Sequence, residues 1–190
     1  METVPEWLSG DVLAAAKRLL GCVIVREING VRMVGKIVET EAYHQTDAAS
    51  HSYRGKTPRT DVMFGPPGHL YVYFTYGMHY CMNIVTGPEG EGSAVLIRAI
   101  EPLAGVACMR KNRHNRPDTE LTNGPAKLCQ ALAIDKRWNG HDLQEAPLQL
   151  HVQPPIADRA IVRTRRIGIS QAVEKPWRFY IADNPFVSKT

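Results

Sequence analysis

The chain lacks the features that are typical of membrane, secreted and metal-cluster proteins. No apolar run in its 190 residues approaches the roughly 18 to 20 residues that a membrane span needs. The first residues contain no basic segment followed by an apolar one, so no export signal is predicted. The cysteines form no Cys-x-x-Cys pair, which argues against a zinc cage or a disulfide framework; they are Cys22, Cys81, Cys108 and Cys129. We therefore expect a cytoplasmic protein with no metal, no cofactor and no membrane association.

Net charge is also small. The 23 Lys and Arg residues against 19 Asp and Glu residues leave a formal charge of +4, which does not by itself indicate nucleic-acid binding. The basic residues nevertheless occur in clusters. One cluster alone is typical of solvated surface, whereas three together favour a surface that faces phosphate groups. The clusters are Arg54, Lys56 and Arg59; Arg110, Lys111, Arg113 and Arg116; and Arg159, Arg163, Arg165, Arg166, Lys175 and Arg178.

The residue patterns predict one mixed α+β domain over residues 1–190. Two β-rich runs are joined by Asn29-Gly30, the pair that a two-residue type I′ turn prefers. Residues 44–69 show almost no periodicity, and a loop of this length is typical of a functional site. Periodicity predicts helices over 11–20, 102–113 and 125–133, and strands over 22–28, 31–43, 70–75, 80–85, 94–100, 148–152, 161–169 and 177–181.

The end of the second strand carries two carboxylates. Side chains alternate along a strand, so Glu39, Glu41 and Tyr43 share one face. A shielded carboxylate in this place can activate a water molecule. On spacing alone, however, an exposed edge strand with solvated glutamates is the stronger interpretation.

The residues that follow favour a binding pocket. His51 lies in the long loop, and Tyr71, Tyr73 and Tyr76 lie in or after the next strand. Each is ordinary alone, but together with an acid they suit a pocket that stacks a purine and presents water to its sugar carbon. Tyr76 stands beside Gly77 at a predicted hairpin tip, where a bulky side chain can wedge into a base stack.

Two more polar residues belong to the following strands, and their roles stay open on pattern alone. Asn83 either contacts a base edge or caps local structure. Arg98 either supports the carboxylate, binds a backbone phosphate or reaches solvent.

These segments resemble the 3-methyladenine (alkyladenine) DNA glycosylase family, in its compact bacterial form. The matching segments are 38–43, 50–52, 57–59, 71–78, 81–83, 95–103 and 124–132, and corresponding segments extend from residue 8 to residue 187. The resemblance implies a curved, largely antiparallel sheet flanked by helices, with a protruding hairpin that enters the minor groove. It also implies base excision repair, with removal of alkylated or deaminated purines of the 3-methyladenine, hypoxanthine and ethenoadenine type from double-stranded DNA.

The resemblance further implies a role for each matching residue. Glu41 is expected to activate the water, with Arg98 as a support near it. Tyr76 is expected to intercalate. The base-binding pocket is expected to consist of Tyr43, His51 and Tyr73, which stack on or hydrogen-bond the flipped base, and Asn83, which disfavours the amino group of guanine. The residues expected to contact the DNA backbone are Arg54, Lys56, Arg59 and Lys127.

Two other functions remain open. A non-catalytic nucleic-acid-binding module would use the same basic clusters and tyrosines, and Glu41→Gln would leave it intact. A hydrolase of small nucleosides built on Glu39 and Glu41 would need neither the basic clusters nor Tyr76. For the glycosylase, no lysine is marked as a Schiff-base nucleophile, so we expect a monomeric, monofunctional enzyme that does not nick the strand.

Overall fold

A single antiparallel sheet carries the candidate site. The computed structural model describes residues 5–75 and 77–188. The strands in these residues are β1 (Val23–Ile28), β2 (Val31–His44), β3 (Leu70–Thr75), β4 (His79–Val85), β5 (Ser93–Ala104), β6 (Leu148–His151), β7 (Ile161–Thr164) and β8 (Arg178–Ile181). They lie in the order β3–β4–β5–β2–β1–β6, while β8 pairs with β2 and β7 pairs with β8. Helices accompany this sheet, which confirms the predicted α+β class.

Strand β2 is the longest strand and passes through the middle of the sheet. Its first half pairs with β1, and its residues Glu39, Thr40 and Glu41 pair with β8. The opposite edge pairs with β5 from Val34 to His44, with two register shifts beside Glu39. Glu39 and Glu41 therefore have strands on both sides and no exposed surface. The interpretation of this segment as an exposed edge strand with solvated glutamates is wrong.

The turn between β1 and β2 has the predicted form. Asn29 and Gly30 have φ values of 49° and 77°, and Ile28 pairs directly with Val31 across the turn. Positive φ at both central residues is what a type I′ turn requires, and Asn-Gly supplies it at little steric cost. The turn fixes the register between β1 and β2, and Glu41 lies near the opposite end of β2 from this turn.

In the described residues, three α-helices pack against the sheet: α1 (Val12–Arg18), α2 (Val106–Asn112) and α3 (Pro125–Ala131). Asp11 caps α1, because its carboxylate accepts hydrogen bonds from the backbone N–H groups of Leu13 and Ala14. The Thr40 hydroxyl of β2 donates to the Ala16 carbonyl at 2.9 Å. One face of β2 thus holds α1, which leaves the other face to the acidic residues.

One large apolar cluster joins the sheet to α1 and α3. Its members include Leu19, Leu20, Ile37, Ile97, Ile100 and Leu128. Gly35 allows β2 and β5 to approach closely, since a Cβ there would lie 2.5 Å from Cδ1 of Ile100. Across residues 5–75 and 77–188, no helix combines the length and the apolar character that crossing a membrane requires.

The long segment between β2 and β3 is packed onto the sheet. Short 3-10 helices cover His51–Arg54 and Asp61–Phe64. Met63 and Phe64 are buried in a second apolar cluster with Tyr71 of β3. This burial holds the segment over one end of the sheet, beside β3.

Two predicted elements have wrong bounds. The helix predicted from Pro102 begins at Val106, because β5 continues to Ala104 along the first half of β2. Strand β4 pairs with β5 from Ala94 to Leu96. Pro102 lies beyond this paired stretch, so a proline, which has no backbone N–H, removes no hydrogen bond between β5 and β4.

The strand predicted over 161–169 ends at Thr164. Beyond it, the chain leaves the β7–β8 pair, and the Arg166 side chain is held by the Ala42 carbonyl at 2.9 Å and by the Asp47 carboxylate. The last residues of the predicted strand are therefore not paired in the sheet, and Arg166 among them forms a buried ion pair with Asp47.

Candidate active site

A cavity of about 520 Å³ lies between the long segment, strands β3 and β4, and the loop that follows β7. This volume is within the range of sites that hold small organic ligands. Five residues that the sequence predicted for catalysis or base binding lie in its wall: Tyr43, His51, Tyr73, Asn83 and Arg98. The other lining residues are Ala48, Ala49, Arg59, Met63, Tyr71, Thr75, Cys81, Leu96, Pro125 and residues 167–171.

Three rings form an aromatic side of the cavity. The ring of His51 packs edge-on against Tyr73, with centroids 4.6 Å apart and an interplanar angle of 82°. Tyr71 and Tyr73 lie 5.7 Å apart with an angle of 31°. These tyrosines alternate with buried Val72 along β3, which places both on one face of the strand. The arrangement offers flat surfaces to a planar ligand.

His51 is held as a neutral imidazole. His51 is exposed as a residue, but its ring packs against the tyrosines, and the loss of water there together with the nearby Arg59 cation lowers the pKa of His51 to about 4. Its Nδ1 lies 3.0 Å from the Tyr71 hydroxyl, and its Nε2 lies 3.5 Å from Nη2 of Arg59. Because a guanidinium only donates, this contact assigns the acceptor role to Nε2 and the proton to Nδ1.

Glu41 lies directly behind the cavity wall. Its Oε2 accepts a hydrogen bond from the Tyr43 hydroxyl at 2.8 Å, and its Oε1 accepts one from the backbone N–H of Ile167 at 2.8 Å. Nη1 of Arg98 lies 3.3 Å from Oε1. All three partners line the cavity, whereas Glu41 itself has no exposed surface. The carboxylate is therefore one side chain away from the space inside the cavity.

Tyr43 is fixed on two sides. Burial raises the pKa of its phenol, and the neighbouring Glu41 carboxylate raises it further, so the phenol remains a hydrogen-bond donor to that carboxylate. The guanidinium of Arg166 lies over the ring, with Cζ 4.7 Å from the ring centroid. Arg166 is itself paired with the fully buried Asp47. One hydrogen bond and one cation–π contact thus set the orientation of this aromatic ring.

Arg98 connects the two buried glutamates. Its Nε donates to Oε1 of Glu39 at 3.0 Å, while its Nη1 approaches Glu41. Burial alone would lower the pKa of Arg98, but the Glu41 and Glu39 carboxylates hold it above its usual value. Arg178 also donates to Glu39, at 2.7 Å. Two guanidinium groups balance two carboxylates, so the buried cluster carries no net formal charge.

Asn83 makes a structural hydrogen bond and also borders the cavity, while its contact with a base edge stays a prediction. Its Nδ2 donates to the Tyr71 carbonyl at 3.1 Å, which ties the side chain to the neighbouring strand β3. The residue is 4% exposed, and this small surface belongs to the cavity wall. The amide is therefore held in place while it borders the ligand space.

The residues predicted to contact the DNA backbone lie near the cavity. Arg54, Lys56 and Arg59 belong to the long segment and are exposed. Lys56 pairs with Asp61 at 2.7 Å, and Arg59 lines the cavity rather than standing apart from it. Lys127 is half-buried in α3 beside the lining residue Pro125, and Tyr76 lies outside the described residues.

Several groups of the site were not predicted from sequence. Arg166 and Arg178 were assigned to a cluster that faces phosphate, and this is wrong, since they are 6% and 5% exposed. The available signal for Arg178 was its place inside a predicted strand, where side chains are commonly half-buried. For Asp47, Ser188 and the Ile167 N–H there was no signal, because each meets its partner only through the folded sheet.

The fold and the cavity define a class of protein that accepts a flat ligand beside a buried carboxylate–guanidinium pair. In the described residues, no group of three or more His, Cys, Asp or Glu side chains is arranged to hold a metal ion. The described wall residues offer aromatic faces and hydrogen-bonding groups.

Comparison with known proteins identifies the family. The family model for methylpurine-DNA glycosylase (MPG) matches residues 6–185. A protein of Carboxydothermus hydrogenoformans is 55% identical over 185 residues, which cover 97% of each chain. Proteins of Methanoculleus marisnigri and Francisella tularensis subsp. tularensis are 47% and 49% identical over 94% and 92% of each chain. All three relatives carry the name "Putative 3-methyladenine DNA glycosylase". The chain belongs to the methylpurine-DNA glycosylase family, whose members are DNA repair enzymes that hydrolyse N-glycosyl bonds.

Proposed function

We propose that this DNA glycosylase removes alkylated and deaminated purines of the 3-methyladenine, hypoxanthine and ethenoadenine type from duplex DNA, with Glu41 as the base that activates water. The observation that carries the proposal is the position of the Glu41 carboxylate. It is buried immediately behind an aromatic cavity and contacts three residues of the cavity wall: Tyr43, Arg98 and Ile167. A damaged nucleotide that swings out of the duplex into this cavity would bring its sugar toward that carboxylate.

The base would be recognised by stacking and by hydrogen bonds to its edge. Tyr43, His51 and Tyr73 supply the flat faces, and neutral His51 supplies a hydrogen-bonding nitrogen that carries no charge. Asn83 borders the same space with an amide held against β3, so the amino group of guanine would meet a side chain that cannot easily move away. Discrimination between guanine and the damaged purines would follow from the fixed position of the Asn83 amide.

The reaction would proceed by hydrolysis of the bond between C1′ and the base nitrogen. As that bond breaks, positive charge develops on the sugar, and a nearby carboxylate stabilises it. Water then adds to C1′ through its oxygen and gives a proton to Glu41. A cationic 3-methyladenine leaves as a neutral base, whereas neutral hypoxanthine must gain a proton as it leaves. Because Glu41 has no exposed surface, the mechanism requires the wall between Tyr43 and Arg98 to admit one water when DNA is bound.

Cleavage would stop at the abasic site. Among the described residues that line the cavity there is no lysine, and a Schiff base with the sugar would need an amine at that place. We therefore propose a monofunctional enzyme that acts as a monomer and leaves the strand intact. Tyr76 would fill the gap left by the flipped nucleotide, and phosphate contacts from Arg54, Lys56, Arg59 and Lys127 would offset part of the cost of flipping.

Replacement of Glu41 by Gln tests the assignment. The amide keeps the size of the side chain but cannot accept a proton from water at neutral pH. We expect excision of hypoxanthine from a duplex oligonucleotide, measured in single turnover, to fall by roughly 100-fold or more. Duplex binding, measured by fluorescence anisotropy on the same oligonucleotide, should change little.

Glu27→Gln is the matched control, because Glu27 is an exposed carboxylate on β1 outside the cavity wall. Its excision rate should equal that of the wild type. If Glu41→Gln excises hypoxanthine as fast as Glu27→Gln does, Glu41 does not activate the water. If neither variant nor the wild type releases any base from DNA, a non-catalytic nucleic-acid-binding function takes the place of the glycosylase.

A further inference from the structure

Glu39 is a buried carboxylate for which the proposed reaction has no chemical use. It has no exposed surface and does not line the cavity. Its Oε1 accepts hydrogen bonds from Nε of Arg98 at 3.0 Å, from Nε of Arg178 at 2.7 Å and from Oγ of Ser188 at 2.8 Å. Its Oε2 accepts one from the backbone N–H of Ser188 at 2.7 Å. Four donors from three separate parts of the chain thus converge on one carboxylate.

Ser188 brings the last described segment of the chain to the same cluster. Besides its bonds to Glu39, its Oγ lies 3.4 Å from Nη2 of Arg98. The segment that carries it is anchored upstream, where Nδ2 of Asn184 donates to the Glu101 carboxylate of β5 at 2.8 Å. Ser188 is 7% exposed and, like Glu39, is not part of the cavity wall.

These contacts fix all three nitrogens of the Arg98 guanidinium. Nε points to Glu39, Nη2 to Ser188 and Nη1 to Glu41. A guanidinium is planar, so two fixed nitrogens determine the direction of the third. The contacts of Nε and Nη2 therefore hold Nη1 at ion-pair distance from one oxygen of Glu41, Oε1, 3.3 Å away, and keep Arg98 from pairing with both oxygens at once. Among residues 5–75 and 77–188, Oε2 then has one hydrogen-bond partner, the Tyr43 hydroxyl.

From this geometry we infer that Glu39 and Ser188 are positioning residues for Arg98, which keep one oxygen of Glu41 open to the reacting water. The inference rests on the proposed role of Glu41. It gives the segment around Ser188 a part in catalysis although that segment does not border the ligand space. Without the two contacts, the guanidinium is free to rotate toward a two-point pair with Glu41, which would occupy the oxygen that must accept the proton.

Ser188→Ala tests the inference with the least disturbance. It removes the hydroxyl that contacts Glu39 and Arg98 but keeps the backbone N–H on Glu39. We expect the single-turnover rate of hypoxanthine excision to fall roughly tenfold, as small misplacements of catalytic groups do, while duplex binding stays within about twofold. Ser188→Thr restores a hydroxyl at the same position and should restore most of the rate.

Ser93→Ala is the matched control, since Ser93 is a fully buried serine of β5 whose Oγ bonds to Thr86 at 2.9 Å, away from the cavity wall. It should excise at the wild-type rate. Glu39→Gln should lose more of the excision rate than Ser188→Ala does, because it weakens the contact to Arg98 itself. If Glu39→Gln does not fold, the excision rates of Ser188→Ala, Ser188→Thr and Ser93→Ala alone test the inference.

The inference is overturned if folded Ser188→Ala excises as fast as the wild type, or if its duplex binding falls as much as its rate. It is also overturned if Ser188→Thr does not regain activity. Glu41→Gln, assayed in parallel, separates the two proposals. Loss of excision in Glu41→Gln but not in Ser188→Ala leaves the proposed function in place and removes only the positioning role. Normal excision by Glu41→Gln removes the proposed function itself.

Discussion

At the scale of single residues, the site combines groups whose protonation is set by their surroundings. The phenol of Tyr43 remains protonated because burial and the Glu41 carboxylate raise its pKa. Burial likewise raises the pKa of the Cys81 thiol in the cavity wall, which keeps it a neutral and poorly nucleophilic group. Tyr43 and Cys81 therefore present neutral groups to the wall, while the charge of Arg98 is paired with the Glu39 and Glu41 carboxylates behind it.

His51 offers a direct test of this environment. Its folded pKa of about 4 lies below the value of 6.5 for a free imidazole. The folded protein should therefore keep His51 neutral from pH 8 down to pH 5.5, and its imidazole proton resonances should not shift in that range. His51→Gln identifies these resonances by their disappearance from the NMR spectrum.

The lowered pKa of His51 also makes the stability of the folded protein depend on pH. As pH falls from 6.5 toward 4, the unfolded chain gains a proton on His51 that the folded chain does not accept, so folding becomes less favourable. His51→Gln should remove this part of the pH dependence of unfolding. A midpoint near pH 6.5 for the His51 resonances would show that neither burial nor Arg59 acts on the ring as described.

At the scale of elements, two loops are joined behind the cavity. Arg166, in the loop after β7, pairs with Asp47 in the segment after β2 and donates to the Ala42 carbonyl. Burial alone would raise the pKa of Asp47, but Arg166 and Lys175 hold it below its usual range. The next residue, Ile167, donates its N–H to Glu41. One ion pair thus holds both the ring of Tyr43 and the loop that contacts the carboxylate.

Arg166→Met should be strongly destabilising. Both partners of the ion pair have fully buried side chains, and removal of Arg166 leaves buried Asp47 with Lys175, 3.3 Å away, as its remaining charged partner. Breaking a buried pair in this way costs about 3 to 5 kcal/mol. Asp47→Asn should lower the free energy of unfolding less when it is added to Arg166→Met than when it is made alone. Urea unfolding of the two single variants and the double variant measures this coupling.

The pH dependence gives a second check on the pair. Asp47 has a lowered folded pKa, so its contribution is complete above the pKa of an unfolded Asp and is lost as pH falls through the folded value. The wild type should therefore lose stability in acid more steeply than Asp47→Asn does. Two results would contradict a stabilising pair. One is that the changes in unfolding free energy of Arg166→Met and Asp47→Asn simply add in the double variant, and the other is that wild type and Asp47→Asn lose stability equally in acid.

At the scale of the whole molecule, the charge distribution determines how DNA would approach. The net charge of +4 is small, but the long segment carries exposed basic residues, and one of them, Arg59, lines the cavity. Arg110 and Arg137, which lie outside the long segment, are paired with carboxylates in the structure. Phosphate contacts would therefore come from a limited part of the surface.

The salt dependence of duplex binding measures that contribution. Each phosphate contact adds about 0.9 to the slope of log K against log salt concentration. If Arg54 and Lys56 each contact a phosphate, replacing both by Gln should reduce the slope by about 1.8. The control replaces Arg32 and Arg137, which are exposed and outside the cavity wall, and should leave the slope unchanged. Equal slopes for the two double variants would remove Arg54 and Lys56 from the DNA interface.

Much of the local structure follows from local sequence. The turn at Asn29-Gly30 and the start of α3 at Pro125 depend on the dihedral angles and hydrogen bonds of a few adjacent residues, and the sequence predicts both correctly. The start of the helix expected at Pro102 is wrong, because pairing of β5 with β2 outweighs the local preference, and the helix begins at Val106. Local signals fail where a distant strand supplies a better partner.

The sequence by itself determined which chemical groups are present and which side chains share a strand face, since alternation along a strand needs no tertiary contact. Only the tertiary structure decided that Glu39 and Glu41 are buried, that Arg98 lies between them and that Arg166 backs Tyr43. Glu41 meets the N–H of Ile167 across 126 positions, and Glu39 meets Ser188 across 149. Contacts over such separations depend on how every strand between them is placed, and no local pattern contains that information.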